Sequence, residues 1–131
     1  MPTRSTITTA TTALFDQNVD LAEAVDRHFA PSFRRRADGG AWDGRTELIE
    51  RMTRLRAAMA SATIDVHEEL VDGPLYADRH TIRTVLKDGS RTRTEVYLFA
   101  RHDPDGRFSE IQESTVALPA DAYADVDVAS R

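Results

Sequence analysis

The chain has 131 residues, with 17 Lys plus Arg against 22 Asp plus Glu for a formal net charge of −5, 40% apolar residues and no cysteine. This length leaves room for one core and no second domain, and the missing cysteines exclude a disulfide framework, a thiolate metal site and a cysteine nucleophile. The acidic balance argues against a dedicated nucleic-acid binder, and the longest apolar run, Val96-Tyr97-Leu98-Phe99-Ala100, falls far short of the ~20 residues that cross a bilayer. Met1 to Ile7 lacks the apolar stretch of a signal peptide, so a cytoplasmic location is expected. All basic residues but Lys87 are Arg, a bias that fits a GC-rich coding sequence, so an arginine counts towards a site by position rather than identity.

No repeat or Gly/Ser linker interrupts the chain, and a helical first half precedes a strand-rich second half, the order of an α+β domain. Residues 5–17 read as a first helix with Ile7, Leu14 and Phe15 as its larger apolar contacts. Asp20 followed by Glu23 can cap a second helix whose stripe is Leu21, Ala24, Val25 and Phe29, with Pro31 as its stop. Phe33-Arg34-Arg35-Arg36 reads as a short extended stretch, followed by a turn at Asp38-Gly39-Gly40. A third helix follows Asp43-Gly44, with Leu48, Met52, Leu55 and Met59 on one face. Strands are expected at about 63–71, 74–87, 91–103 and 107–117, separated by turns at Asp72-Gly73-Pro74, Asp88-Gly89-Ser90 and Asp103-Pro104-Asp105-Gly106. Central strands of about 13 residues would run ~43 Å if flat, so the sheet must curve around the helices and leave a concavity between. Residues 1–118 read as the single domain and 119–131 as an acidic, flexible tail.

This order resembles the nuclear transport factor 2-like superfamily, and within it the SnoaL-like branch. The residues that carry the resemblance are Asp20-Leu21-Ala22-Glu23-Ala24-Val25 leading to His28-Phe29-Ala30-Pro31, then Asp43-Gly44-Arg45 with Leu48, Val71-Asp72-Gly73, and Asp105-Gly106-Arg107-Phe108. The resemblance implies a cone-shaped, curved antiparallel sheet wrapped around three N-terminal helices, with a pocket in the wide end and homodimerisation through the outer sheet face. Family activities include ketosteroid isomerase, polyketide cyclase, epoxide hydrolase and dehydratase, beside members that only bind, so the residues must decide function.

On the last strand Ile111, Glu113 and Thr115 share one face. Limonene epoxide hydrolase and SnoaL-like cyclases carry a catalytic carboxylate here, and the family's spacing from the turn glycine, counted from Gly106, reaches Glu113, a candidate general acid or base. Arg79 matches the epoxide hydrolase's pocket arginine and would pair with Glu113 across neighbouring strands. The carboxylate that enzyme carries two residues further on is Thr81 here, which suits an anionic or enolate-like group at least as well as epoxide opening. Arg79 and His80 exchange faces if the register slips by one residue. Tyr97, sharing a face with Glu95 and Phe99, is a hydroxyl donor to a carbonyl or a packing residue. Asp38 lies beside the isomerase base position, which Ala37 occupies, and the isomerase oxyanion pair is replaced by Ala13 and Tyr97, which argues against steroid isomerisation. Arg35 belongs either to the pocket or to a solvated rim, and Trp42 either walls the mouth or plugs the core. Thr81, Ile111 and Thr115 complete the expected ligand contacts. The histidines show no metal-ligand spacing, and no nucleotide fingerprint is present, so neither a metal nor an organic cofactor is expected.

The expected ligand is a small, largely apolar organic molecule with a polar or anionic end, and the expected macromolecular partner is a second copy, with no nucleic acid and no membrane. Three readings stay open: a cofactor-independent cyclase, isomerase or dehydratase, a non-catalytic binding module, and a dimeric protein-interaction adaptor.

Overall fold

A computed structural model describes residues 3–119, so the expected tail lies, apart from Pro119, outside the described residues. Helix α1 (Ile7–Phe15) starts at Thr6, whose hydroxyl accepts the Thr9 N–H at 3.1 Å while the Thr9 hydroxyl accepts the Thr6 N–H at 2.9 Å. The threonine-rich stretch thus caps its own helix. Helix α2 (Leu21–His28) is capped by the Asp20 carboxylate, which accepts the Glu23 N–H at 3.1 Å. It ends before the expected stop, because the residue preceding a proline is pushed out of helical geometry. Strand β1 (Phe29–Ala37) therefore begins at Phe29, and its register shifts between Phe29 and Arg34, the interval that holds Pro31.

After the two-residue strand β2 (Asp43–Gly44), helix α3 (Arg45–Ala58) opens with the Gly44 N–H donating to Glu47 Oε1 at 2.8 Å and buries Leu48 and Met52. Strands β3 (Met59–Asp72), β4 (Leu75–Leu86), β5 (Arg91–His102) and β6 (Phe108–Leu118) form the expected meander. Met59 belongs to β3 rather than to the third helix, and β3 starts four residues earlier than its pattern suggests. The small residues Ala60, Ser61 and Ala62 carry no period that could mark the change.

The strands form one six-stranded sheet in the order β2-β1-β6-β5-β4-β3. Pairing is antiparallel except between β1 and β6, which run parallel, so the sheet is mixed rather than wholly antiparallel. Directly paired residues put their side chains on the same face. One face carries Tyr76, Val96, Leu98, Ala100, Phe108 and Ile111, which join Ile7, Leu14, Val25 and Leu48 of the helices in a single core. The opposite face exposes Leu70, Tyr97, Phe99 and Val116. Among the described residues no helix is long and apolar enough to cross a membrane.

Candidate functional site

On the helix-facing side of the sheet, alternate residues of β4 are Tyr76, Asp78 and His80, in register with Ala100, Leu98 and Val96 of β5. His80 is 2% exposed, and its Nδ1 lies 2.8 Å from Asp78 Oδ1. A carboxylate can only accept there, so Nδ1 carries a proton and the lone pair of a neutral ring falls on Nε2. Asp78 Oδ2 lies 3.2 Å from the Tyr76 hydroxyl, which also donates to Glu69 Oε2 and accepts the Ile7 N–H at 3.1 Å. Burial, and then the Glu69 bond, push the phenol of Tyr76 far above its ordinary range, so it stays a hydroxyl.

Glu113 pairs with Leu98, which pairs with Asp78, so the two carboxylates share one row of the inner face two strand spacings apart, about 10 Å. The Arg35 Nε–H donates to Glu113 Oε1 at 2.7 Å. The inner face thus presents a carboxylate–imidazole pair on β4 and a carboxylate–guanidinium pair between β1 and β6, with Leu98 between them.

The expected site residues divide between the two faces. Glu113, Ile111 and Arg35 lie on the inner face, as does Thr115 through its pairing with Val96. Asp38 is brought to Thr115, but as a structural clamp: its carboxylate accepts the Thr115 N–H and hydroxyl, both at 2.7 Å. Arg79 and Tyr97 lie on the outer face, and β5 separates β4 from β6, so the expected Arg79–Glu113 pair is not made. Arg79 instead donates to Glu68 at 3.1 Å and Glu95 at 3.4 Å, while the Tyr97 hydroxyl donates to Glu95 at 2.8 Å. The Glu68 bond raises the Arg79 guanidinium above its ordinary range, and the Glu95 bond raises the Tyr97 phenol.

Thr81 also belongs to the outer set, where it shares a 2.7 Å hydrogen bond with His67 Nε2. Trp42 neither walls the cone nor plugs the core; it is 39% exposed under the Arg34 guanidinium, whose carbon lies 4.1 Å from the ring centroid. The residues that sequence reasoning passed over are Tyr76 and Asp78, and it turned His80 outward. Their signal was Tyr76-x-Asp78-x-His80, three polar groups at the strand period on one face.

A depression of about 690 Å³ lies on the outer face, lined by Arg36, Leu70, Arg79, Tyr97 and Phe99 among others. Among the described residues no group of three or more His, Asp or Glu is placed to hold a metal ion.

A family model described as SnoaL-like domain matches residues 10–111. The chain belongs to the SnoaL-like family. Solved structures agree on the fold of this SnoaL-like protein. A limonene-epoxide-hydrolase-like epoxide hydrolase from M. tuberculosis is 17% identical, with 82% of this chain and 80% of that chain covered and a TM-score of 0.63. A hypothetical protein with a ketosteroid isomerase-like fold from Catenulispora acidiphila DSM 44928, in complex with trimethylamine, is 16% identical, with 85% of each chain covered and a TM-score of 0.65. A loop-truncation variant of IdmH is 19% identical, with 85% and 88% covered and a TM-score of 0.65. Comparison of the sequence with curated proteins gives no match.

Proposed function

We propose that this SnoaL-like protein carries out cofactor-independent acid–base chemistry on a small organic molecule held between the inner sheet face and the helices, with His80 as the proton carrier. The observation that carries the reading is the buried His80–Asp78 pair, which leaves Nε2 as the ring nitrogen able to take a proton from a substrate and return it. Asp78 holds the ring's tautomer and stabilises the imidazolium formed on the way. Glu113 and Arg35 offer a second polar pair on the same face, with Leu98 between the two pairs. The solved relatives include an epoxide hydrolase, so epoxides and enolisable ketones are the first substrate classes to try.

Incubation in D2O with cyclic ketones and epoxides, followed by NMR, tests the reading. Deuterium uptake beside the carbonyl or ring opening is expected, slowed roughly a hundredfold in His80→Gln. Equal rates in the parent and the variant would overturn it. A second reading, a binding module without turnover, is favoured by one observation: Asp78 and Glu113 both already have protein partners. That reading predicts ligand-induced thermal stabilisation without chemical change. We further propose that a second copy of the chain covers the outer sheet face.

A further inference from the structure

Tyr76 holds a position between two carboxylates that its own chemistry cannot satisfy at once. It is 1% exposed, and its oxygen contacts Glu69 Oε2, Asp78 Oδ2 at 3.2 Å and the Ile7 N–H at 3.1 Å. The hydroxyl has one proton, while both carboxylates are acceptors when ionised, so it donates to one at a time. Glu69 is the nearer of the two acceptors, so in the described state the hydroxyl donates to it. Asp78 then keeps its full acceptor strength for His80 Nδ1, 2.8 Å away on its other oxygen. Glu69 belongs to an exposed stretch of β3, whereas the side chains of Asp78 and His80 are 0% and 2% exposed. An exposed carboxylate is thus linked to a buried imidazole through one hydroxyl and the Asp78 carboxylate.

The surroundings leave few competing fields. His80 is flanked in register by Val66 and Val96, and the buried residues of α1, α2 and α3 include no titratable side chain. The other titratable groups of the inner face are His102, whose buried ring stands edge-on to Tyr76 at 5.7 Å between centroids, and Glu113 with Arg35, which neutralise one another.

We propose that Tyr76 is a switched donor shared between Glu69 and Asp78, through which Glu69 sets how strongly Asp78 holds His80. With Glu69 ionised the phenol turns away from Asp78, and the Asp78–His80 bond is at its strongest. When Glu69 is neutralised or replaced, the phenol turns to Asp78, draws charge from its carboxylate and weakens the bond to the imidazole. Tyr76 and Glu69 are positioning residues in this scheme, acting on His80 only through Asp78. The importance of the switch rests on the role proposed for His80, but its existence can be read without any substrate.

The test follows the His80 Nδ1–H proton by NMR, a resonance that lies further downfield the stronger its acceptor. Glu69→Gln is expected to move it upfield in the parent protein and to leave it almost in place in a Tyr76→Phe background. An equal displacement in both backgrounds would mean a field acting through space, and no displacement in either would mean no coupling; each result overturns the proposal. If Tyr76→Phe does not fold, the Tyr76 hydroxyl proton decides in Glu69→Gln alone. A slowly exchanging hydroxyl close to Asp78 supports the switch, and a hydroxyl lost to rapid exchange overturns it. Failure to turn over ketones or epoxides leaves these signals unaffected, so the two proposals fail separately.

Discussion

Asp38 adopts φ 52 and accepts two bonds from Thr115, so its carboxylate fastens the end of β1 to the last strand. The Thr115 backbone N–H first, and its hydroxyl second, hold the carboxyl below its usual range. A carboxyl depressed on folding contributes stability that is present above its unfolded value near pH 4, roughly, and is lost as the pH falls through the lower folded value. Asp38→Asn keeps a residue that tolerates positive φ while removing the charge. Urea midpoints measured across the acid range are therefore expected to fall less steeply with decreasing pH in Asp38→Asn than in the parent. Gly106 shows a different residue-scale constraint. At φ 92 it also lies where an added Cβ would come within 3.1 Å of Arg4 Cα and of the Thr3 carbonyl. Gly106→Ala should destabilise by about 2–3 kcal/mol in chemical denaturation, the cost of strain plus the shift of the N-terminal arm. Gly89→Ala provides the control, because at φ 89 its Cβ meets nothing within 4 Å. It should cost only the strain, about 1 kcal/mol.

Helix α1 depends on a clamp supplied by another helix. The Arg56 guanidinium of α3 donates to the carbonyls of Leu14 at 2.7 Å, Val19 at 2.7 Å and Ala13 at 3.0 Å. Ala13 and Leu14 lie at the C-terminal end of α1, where carbonyls lack helical partners and favour a cation, and Val19 lies in the turn that follows. A lysine ammonium lacks the planar fork that reaches three oxygens. Arg56→Lys should cost about 2 kcal/mol. Amide exchange would locate the loss: the Asp16 N–H, bonded to the Thr12 carbonyl at 3.0 Å, should lose protection while β4 and β5 keep theirs. The strands teach a separate lesson at this scale. The order of elements and the three turns between the four long strands follow from Gly, Pro and Asp chemistry in the sequence. The faces of β4 and β5 do not, because each strand carries mixed character on both alternating sets. Asp78 and His80 alternate with Arg79 and Thr81, and Val96 and Leu98 alternate with Tyr97 and Phe99.

For the whole molecule, the sheet has one face buried by helices and one left with large apolar side chains in the open. Phe99 is 63% exposed and Tyr97 48%, beside a depression of about 690 Å³ that also has Arg36, Arg79 and Glu68 in its lining. Apolar surface grouped in this way is a mark of an interaction face. Two copies related by a two-fold axis could set the acidic groups of one against the arginines of the other while stacking their aromatic rings. Phe99→Glu is expected to shift the particle from dimer to monomer in light scattering while changing the unfolding midpoint of the monomer little. A parent that is monomeric at high concentration would rule the dimer out.

By itself the sequence determined the α+β plan, the three helices, the meander, and the sharing of one strand face by Ile111, Glu113 and Thr115. These rest on local chemistry: caps, turn residues and hydrophobic period. Only the tertiary structure decided that β1 runs parallel to β6, that β5 separates Arg79 from Glu113, and that His80 rather than Arg79 faces the helices. The side-chain period of a strand is two, so its pattern defines two sets of residues without saying which is inside. Where both sets are part polar, burial against the helices makes the choice, and here it encloses Asp78 with His80 and leaves Arg79 with Tyr97 to the outer face.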